Sequence, residues 1–304
     1  MKRTVVSGLV AVGAMVVGMA STTSAQAENG PADAPHEAVQ VGAATATSDT
    51  ALASSGACGA GMVEVEGEYC GQLEQKCLRW LDPDLKLRCA EFAPTGKCQS
   101  KTVHKRFCMD QFEFPNKIGE KPVVMKTWFQ AKSACEAEGK RLCSDTEWTT
   151  ACEGESRTPY PYGNKRDAEA CNIDKPHPDV NEFALSNPKT RMAEAARLDQ
   201  RAASGEYSSC VSPYGVHDMT GNVDEWVVNE SGGAAPFKSG LKGGYWGPVR
   251  TRCRPMTTAH GPDFAYYQIG FRCCGDAPER KEAKAGAGVI VARAAKTAPA
   301  PAAK

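Results

Sequence analysis

The sequence predicts a single disulfide-rich domain that mixes short strands and helices with much irregular chain. Three observations carry that expectation. All fourteen cysteines, an even number, lie between Cys58 and Cys274, as a disulfide framework of a small-cored exported protein would place them. Two helix-start signatures, Thr127 with Gln130 and Ser144 with Glu147, each precede a periodic apolar stretch. The segment 155–212 carries Pro159, Pro161, Pro176, Pro178 and Pro188, and prolines at that density interrupt regular ladders.

The chain opens with Lys2 and Arg3, an apolar run from Val5 to Ala20, and Ala25-Gln26-Ala27. This is the pattern of a secretory signal peptide over 1–27, and the run is shorter than the roughly 20 residues of a membrane span. Residues 28–57 are small and polar and read as a disordered leader, because they cannot bury enough surface to offset chain entropy. The domain then spans 58–276, and its first part, 58–100, is rich in cysteine. Val63-Glu64-Val65 alternates as a strand does. Helices are expected from Thr127 to Gly139 and from Ser144 to Gly154, each closed by glycine, with a shorter one over 189–202. The Ala/Lys/Pro-rich tail, 277–304, reads as a flexible extension. Formal net charge is +0, so no nucleic-acid partner is expected. Disulfides should stabilise such a domain by about 2–4 kcal/mol each. No pair of CxxC motifs has zinc-ribbon spacing, and five histidines without HxH or HxxxH spacing are a poor basis for a transition-metal centre.

The stretch PYGVHDMTGNVDEW (213–226) holds the densest chemistry. Asp218 and Glu225 bracket Gly221, Asn222 and Val223, and two carboxylates flanking a short turn can give a hard cation its oxygen ligands. Without a metal, the same residues form a Gly-Asn turn with an acidic cap. Downstream, Arg250, Arg252, Arg254 and Arg272 alternate with Tyr245, Trp246, His260, Tyr266 and Tyr267. Arginine forks suit a carboxylate, sulfate or phosphate, and aromatic rings suit a peptide or sugar. The competing reading is that these arginines form internal ion pairs, and for Arg272 that reading is preferred.

This turn resembles the GN-x-WEW segment of the formylglycine-generating enzyme (sulfatase-modifying factor) family. MVEVEGEYC (62–70), FCMDQFEFPN (107–116), the GKRL turn within 122–148, PYGN…CNI (161–173), KGGYW (242–246) and IGFR (269–272) continue the likeness in order. The resemblance implies a C-type-lectin-like α+β fold with little regular structure. It further implies a structural Ca²⁺ held by the side chains of Asp218 and Glu225 and the carbonyls of Gly221 and Val223. A second Ca²⁺ site would start at Asn172 and Ile173, but its other two ligands come from an Asp-Gly-Phe-like segment that this chain lacks. The family binds copper through two cysteines five residues apart after a GGS motif. Here the second falls on Cys253, the first on Pro248, the serine on Tyr245, and the family's Trp before Glu-Trp on Asp224. One sulfur cannot reproduce a linear Cu(I) site, and a disulfide to Cys273 or Cys274 is the expected state of Cys253.

Three functional classes therefore compete for an exported, periplasmic or secreted product. One is an O₂-dependent oxidase of a sulfur-containing substrate with Cys253 as metal ligand. Another is an envelope module that binds a peptide, protein or glycan in a groove of Tyr245, Trp246, Arg250, Arg252 and His260. The last is a stapled structural protein without a small ligand. Formylglycine synthesis itself is not expected.

Overall fold

A computed structural model describes residues 58–231 and 237–280. The signal segment, the leader and all but the first four residues of the tail lie outside the described residues. In chain order the elements are β1 (Met62–Cys70), β2 (Cys77–Trp80), β3 (Cys89–Phe92), β4 (Thr102–Asp110), α1 (Trp128–Ala137), β5 (Arg141–Leu142) and α2 (Asp145–Glu153). They continue with α3 (Glu182–Ser186), α4 (Arg191–Leu198), β6 (Asp224–Val228), β7 (Ser239–Lys242), β8 (Met256–Thr257), β9 (Ile269–Phe271) and β10 (Cys273–Asp276).

Both capped helices form where the sequence places them. Thr127 and Ser144 accept from the backbone N–H groups of Gln130 and Glu147, whose side chains reach back to the cap N–H groups. The 189–202 helix is shorter than expected, Arg191–Leu198, and α3 lies within the proline-rich stretch that the sequence marks as irregular. Asn181 caps α3 by accepting from Ala184 N–H. The Val63–Val65 strand grows to nine residues because its whole length pairs antiparallel with β4.

One sheet has the order β1-β4-β10-β5 and another β8-β7-β6-β9, while β2 and β3 form a separate hairpin. In the second sheet β6 runs parallel to β9 and antiparallel to β7. Between the two larger sheets, Val65, Phe107, Met109, Trp148, Met219 and Val227 pack into one buried cluster with α2. On the far side of β6, α1 covers Trp226, Leu241, Ile269 and Phe271.

Seven disulfides use all fourteen cysteines. Three of them staple the 58–108 region: Cys58–Cys108, Cys70–Cys98 and Cys77–Cys89. Cys273 and Cys274 point to opposite faces of β10, as successive strand residues must, so they reach different partners, Cys135 and Cys143. The expected pairing of Cys253 with one of them is therefore corrected: Cys253 bonds Cys152 on α2.

Candidate binding groove

Gly243 and Gly244 follow β7 with φ of +89° and +75°, a region costly for any side chain. A Cβ on Gly244 would lie 2.6 Å from Thr251 Cγ2, so only glycine lets the chain fold back on the 244–251 loop. That reversal opens a groove of about 700 Å³ against the β8-β7-β6-β9 sheet. Asp224, at the start of β6, and Gln268 lie on its sheet side, Tyr245 and Arg250 come from the reversing loop, and His260, Phe264 and Tyr266 from the loop before β9.

The rings form a nearly continuous wall. His260 stacks on Phe264 at 4.1 Å between centroids, Phe264 on Tyr266 at 5.6 Å, and Tyr266 lies 4.8 Å from Tyr267. The Tyr266 hydroxyl donates to Glu182 Oε1 at 2.6 Å. On the other flank Tyr245 Oη lies 2.9 Å from His177 Nε2. His177 Nδ1 lies 2.9 Å from the Pro178 carbonyl, so the Nδ1–H tautomer follows and Nε2 is the acceptor shared by the Tyr245 hydroxyl and the Tyr267 hydroxyl, the latter at 3.1 Å. Burial pushes the Tyr245 and Tyr266 hydroxyls up, so both stay protonated donors. Asp224 is pushed up to about 7 by burial, against the Gly244 N–H and the Arg250 charge, which favour its ionised form. Gln268 Oε1 is buried without a hydrogen-bond partner, an acceptor available to a ligand.

Of the residues expected in the groove, Tyr245, Arg250 and His260 line it. Trp246 does not. It is 1% exposed and packs with Leu185, Leu198, Val223 and Tyr267, because side chains on either side of the reversal face opposite ways. Arg252 faces a neighbouring cleft instead. Cys253 is fully buried in the core cluster and disulfide-bonded. It shares no cavity with Tyr245 and Pro248, and it has no thiol to offer a metal or a substrate while that bond is intact. Asp224, Glu182, Phe264 and Gln268 were not anticipated as groove residues. An acid in place of the family's tryptophan was the one signal that pointed to Asp224.

The acidic turn is organised around Arg272. Its Nε donates to Glu225 Oε2 and its Nη2 to Oε1, both at 2.7 Å, and both side chains are essentially unexposed. Trp148 Nε1 also donates to Glu225 Oε2, at 2.8 Å. Asp218 accepts from Gly205 N–H at 3.0 Å, and burial pushes it up to about 6. Glu113, buried nearby, is pushed well above the carboxylate range by burial and by the charges of Asp218 and Glu225, and its Oε1 has no partner. Three buried carboxylates thus share one guanidinium, an imbalance that protons or a cation must offset. Glu225 Oε2 holds two donors, whereas Oε1 holds one and keeps an acceptor position.

Gly221 (φ +87°) abuts Asn172, whose carbonyl would lie 2.4 Å from an added Cβ and accepts from Asn222 N–H at 2.9 Å. The two stretches expected to bind calcium therefore meet, and Asn172 and Ile173 serve as packing and hydrogen-bonding support for the first. No described residue completes a second site in the way an Asp-Gly-Phe segment would.

These features define an α+β, disulfide-crosslinked domain with a glycine-turned, aromatic-walled groove beside an acid-rich turn. The chain belongs to the sulfatase-modifying factor enzyme 1-like domain family, whose model matches residues 79–277, and its fold is that of the formylglycine-generating enzymes. It is 31% identical over 169 residues to inactive C-alpha-formylglycine-generating enzyme 2 of Bos taurus, covering 52% of this chain and 51% of that protein. It is 26% identical over 178 residues to the formylglycine-generating enzyme of Mus musculus, covering 51% and 44%. The chain spans about half the length of the curated relatives it matches. Among solved structures it is similar to PvdO from Pseudomonas aeruginosa, with 17% identity, a TM-score of 0.45, and coverage of 71% of this chain and 94% of that one.

Proposed function

We propose that this protein is an exported binding module that holds a peptide, protein segment or glycan of the cell envelope in the groove of Asp224, Arg250, His260 and Phe264. On this reading the formylglycine-generating scaffold is retained and formylglycine synthesis is lost. The observation that carries the proposal is the state of the sulfurs: all fourteen cysteines are crosslinked, so no pair of thiolates is left to hold Cu(I). Pro248 stands at one expected copper position, and Cys253, at the other, is bonded to Cys152. The name of the bovine relative, an inactive formylglycine-generating enzyme, is in keeping with such a loss. Stacked rings beside unpaired polar groups support recognition of a peptide or a sugar. The crosslinks also support export, since disulfides at this density persist only in oxidising compartments. No helix among the described residues is long and apolar enough to cross a membrane.

A structural Ca²⁺ at the 218–225 turn is the second part of the proposal. Asp218, Glu225 and the carbonyls of Gly221 and Val223 would hold it, and it would supply charge neutralisation to the buried acids, not chemistry.

The test has two arms. Denatured without reductant, the purified protein should take up no thiol-alkylating reagent by intact mass. With Cu(I) and O₂ it should leave a cysteine-containing substrate peptide unchanged. Labelled cysteine together with aldehyde formation would overturn the proposal. A panel of envelope peptides and glycans should then give a ligand whose affinity drops at least tenfold on Phe264→Ala, and a panel without any binder would refute the groove reading.

A further inference from the structure

Beside the groove lies a second cleft, of about 410 Å³, walled by Arg250, Arg252 and Arg254 with Leu73, Gln75 and Met256. The three arginines are not equivalent. Arg254 donates to Glu153 Oε1 at 2.6 Å and to the Cys70 carbonyl at 2.8 Å, so its charge is already balanced. Arg250 and Arg252 have no ion-pair or hydrogen-bond partner for their side chains among the described residues. This sets them apart from Arg88, Arg141, Arg166, Arg201 and Arg272, each held by a carboxylate. Arg252 is half-buried, with its guanidinium 5.4 Å from the Phe92 ring centroid and a buried Nε that meets no acceptor. Burial, and then the charge of Arg250, hold Arg252 below its ordinary basicity. Two cations therefore share one cleft with one of them partly desolvated. Asp224, on the groove side, feels the Arg250 charge without forming an ion pair with it. No carboxylate among the described residues pairs with either guanidinium, which leaves both forks open to an anion.

The loop that presents them is rigid. Arg166 donates to the Val249 carbonyl at 3.0 Å and to the Thr251 carbonyl at 3.4 Å. Cys253 N–H donates to the Pro159 carbonyl at 2.8 Å, and the Cys152–Cys253 disulfide ties the loop to α2. Because the backbone that carries both guanidinium forks is already held, a ligand has only the side chains left to order. A tetrahedral monoester offers three terminal oxygens to the two forks where a carboxylate offers two, and a phosphate monoester, close to a dianion at neutral pH, also matches both positive charges.

We propose that Arg250 and Arg252 form a binding site for a tetrahedral oxyanion, a phosphate or sulfate monoester. Arg250 and Pro255 line both this cleft and the groove. The ester is therefore the anionic end of the groove's ligand, a step that rests on the groove reading; oxyanion capture itself does not.

Isothermal titration with methyl phosphate, methyl sulfate and acetate at constant ionic strength tests the site. At least one of the two esters should bind at least tenfold more tightly than acetate, and Arg252→Gln and the exposed Arg250→Gln should each weaken it at least tenfold. Whichever ester binds more tightly identifies the one the ligand carries. Near-UV circular dichroism unchanged from wild type shows that each variant is folded, and Arg250, being exposed, supplies the test if Arg252→Gln does not fold. Ester binding no tighter than acetate, or binding that Arg250→Gln leaves intact, would overturn the proposal. If the envelope panel yields no binder while methyl phosphate or methyl sulfate still binds, the groove reading fails and this site stands.

Discussion

Lys242 offers a quantitative test of how this core is built. It is 1% exposed, its Nζ donates to Thr149 Oγ1 at 2.8 Å and to the Arg254 carbonyl at 2.9 Å, and it sits 5.1 Å from the Trp148 ring centroid. Two acceptors match the two N–H groups of a neutral amine. Burial lowers its pKa from an ordinary 10.5 to about 7. At about 1.36 kcal/mol per tenfold change in proton affinity, that gap is roughly 5 kcal/mol of differential stability between the two protonation states. Between pH 7 and 10.5 the unfolded chain holds a proton that the folded chain lacks, so stability should rise with pH across that window. From pH 7 to 9.5 the gain from this one group should be roughly 3 kcal/mol. Asp218 and Asp224, raised to about 6 and 7, act in the opposite direction up to the lower edge of that window, and Glu113 is raised further by burial. The buried tyrosines oppose the rise from about pH 9, where unfolded tyrosine begins to ionise. All of these groups are shared with Lys242→Met, so the difference between the two profiles isolates the amine. Lys242→Met has no amine to titrate and should flatten the profile. Urea unfolding with the disulfides intact, at pH 7, 8 and 9.5, measures both. Parallel profiles for wild type and Lys242→Met would refute the reasoning.

Three further outcomes are expected. Replacing both Cys152 and Cys253 with alanine should destabilise the domain by about 2–5 kcal/mol, read as a lower Tm in calorimetry, because the bond closes a loop with a sequence separation of 101; an unchanged Tm would make the crosslink incidental. Gly221→Ala should cost about 2 kcal/mol or more, since it combines a left-handed φ with a 2.4 Å approach to the Asn172 carbonyl, and chemical denaturation should show it. Chelation by EGTA should lower the Tm if Ca²⁺ neutralises the 218–225 turn; a Tm that chelation leaves unchanged would mean that protons on Asp218 and Glu113 balance the charge instead.

The sequence by itself determined the features that depend on neighbours along the chain. The capping boxes at Thr127 and Ser144, the Gly-Asn turn at 221–222 and the crosslinked character of 58–274 all rest on short-range chemistry and composition. Family likeness, carried by motifs in order, supplied the fold. Only the tertiary structure decided which sulfur met which. Cys152 and Cys253 are far apart in the chain, and spacing encodes no pairing when many partners are open. It also decided the sides of the groove. Neighbouring residues Tyr245 and Trp246 part company at a glycine-turned reversal, one into the cavity and one into the core. The arginines divided in the same way: Arg254 and Arg272 found carboxylates from distant segments, Glu153 and Glu225, whereas Arg250 and Arg252 found none. Whether a charge is balanced depends on where other segments bring their acids, and no local pattern of residues contains that information.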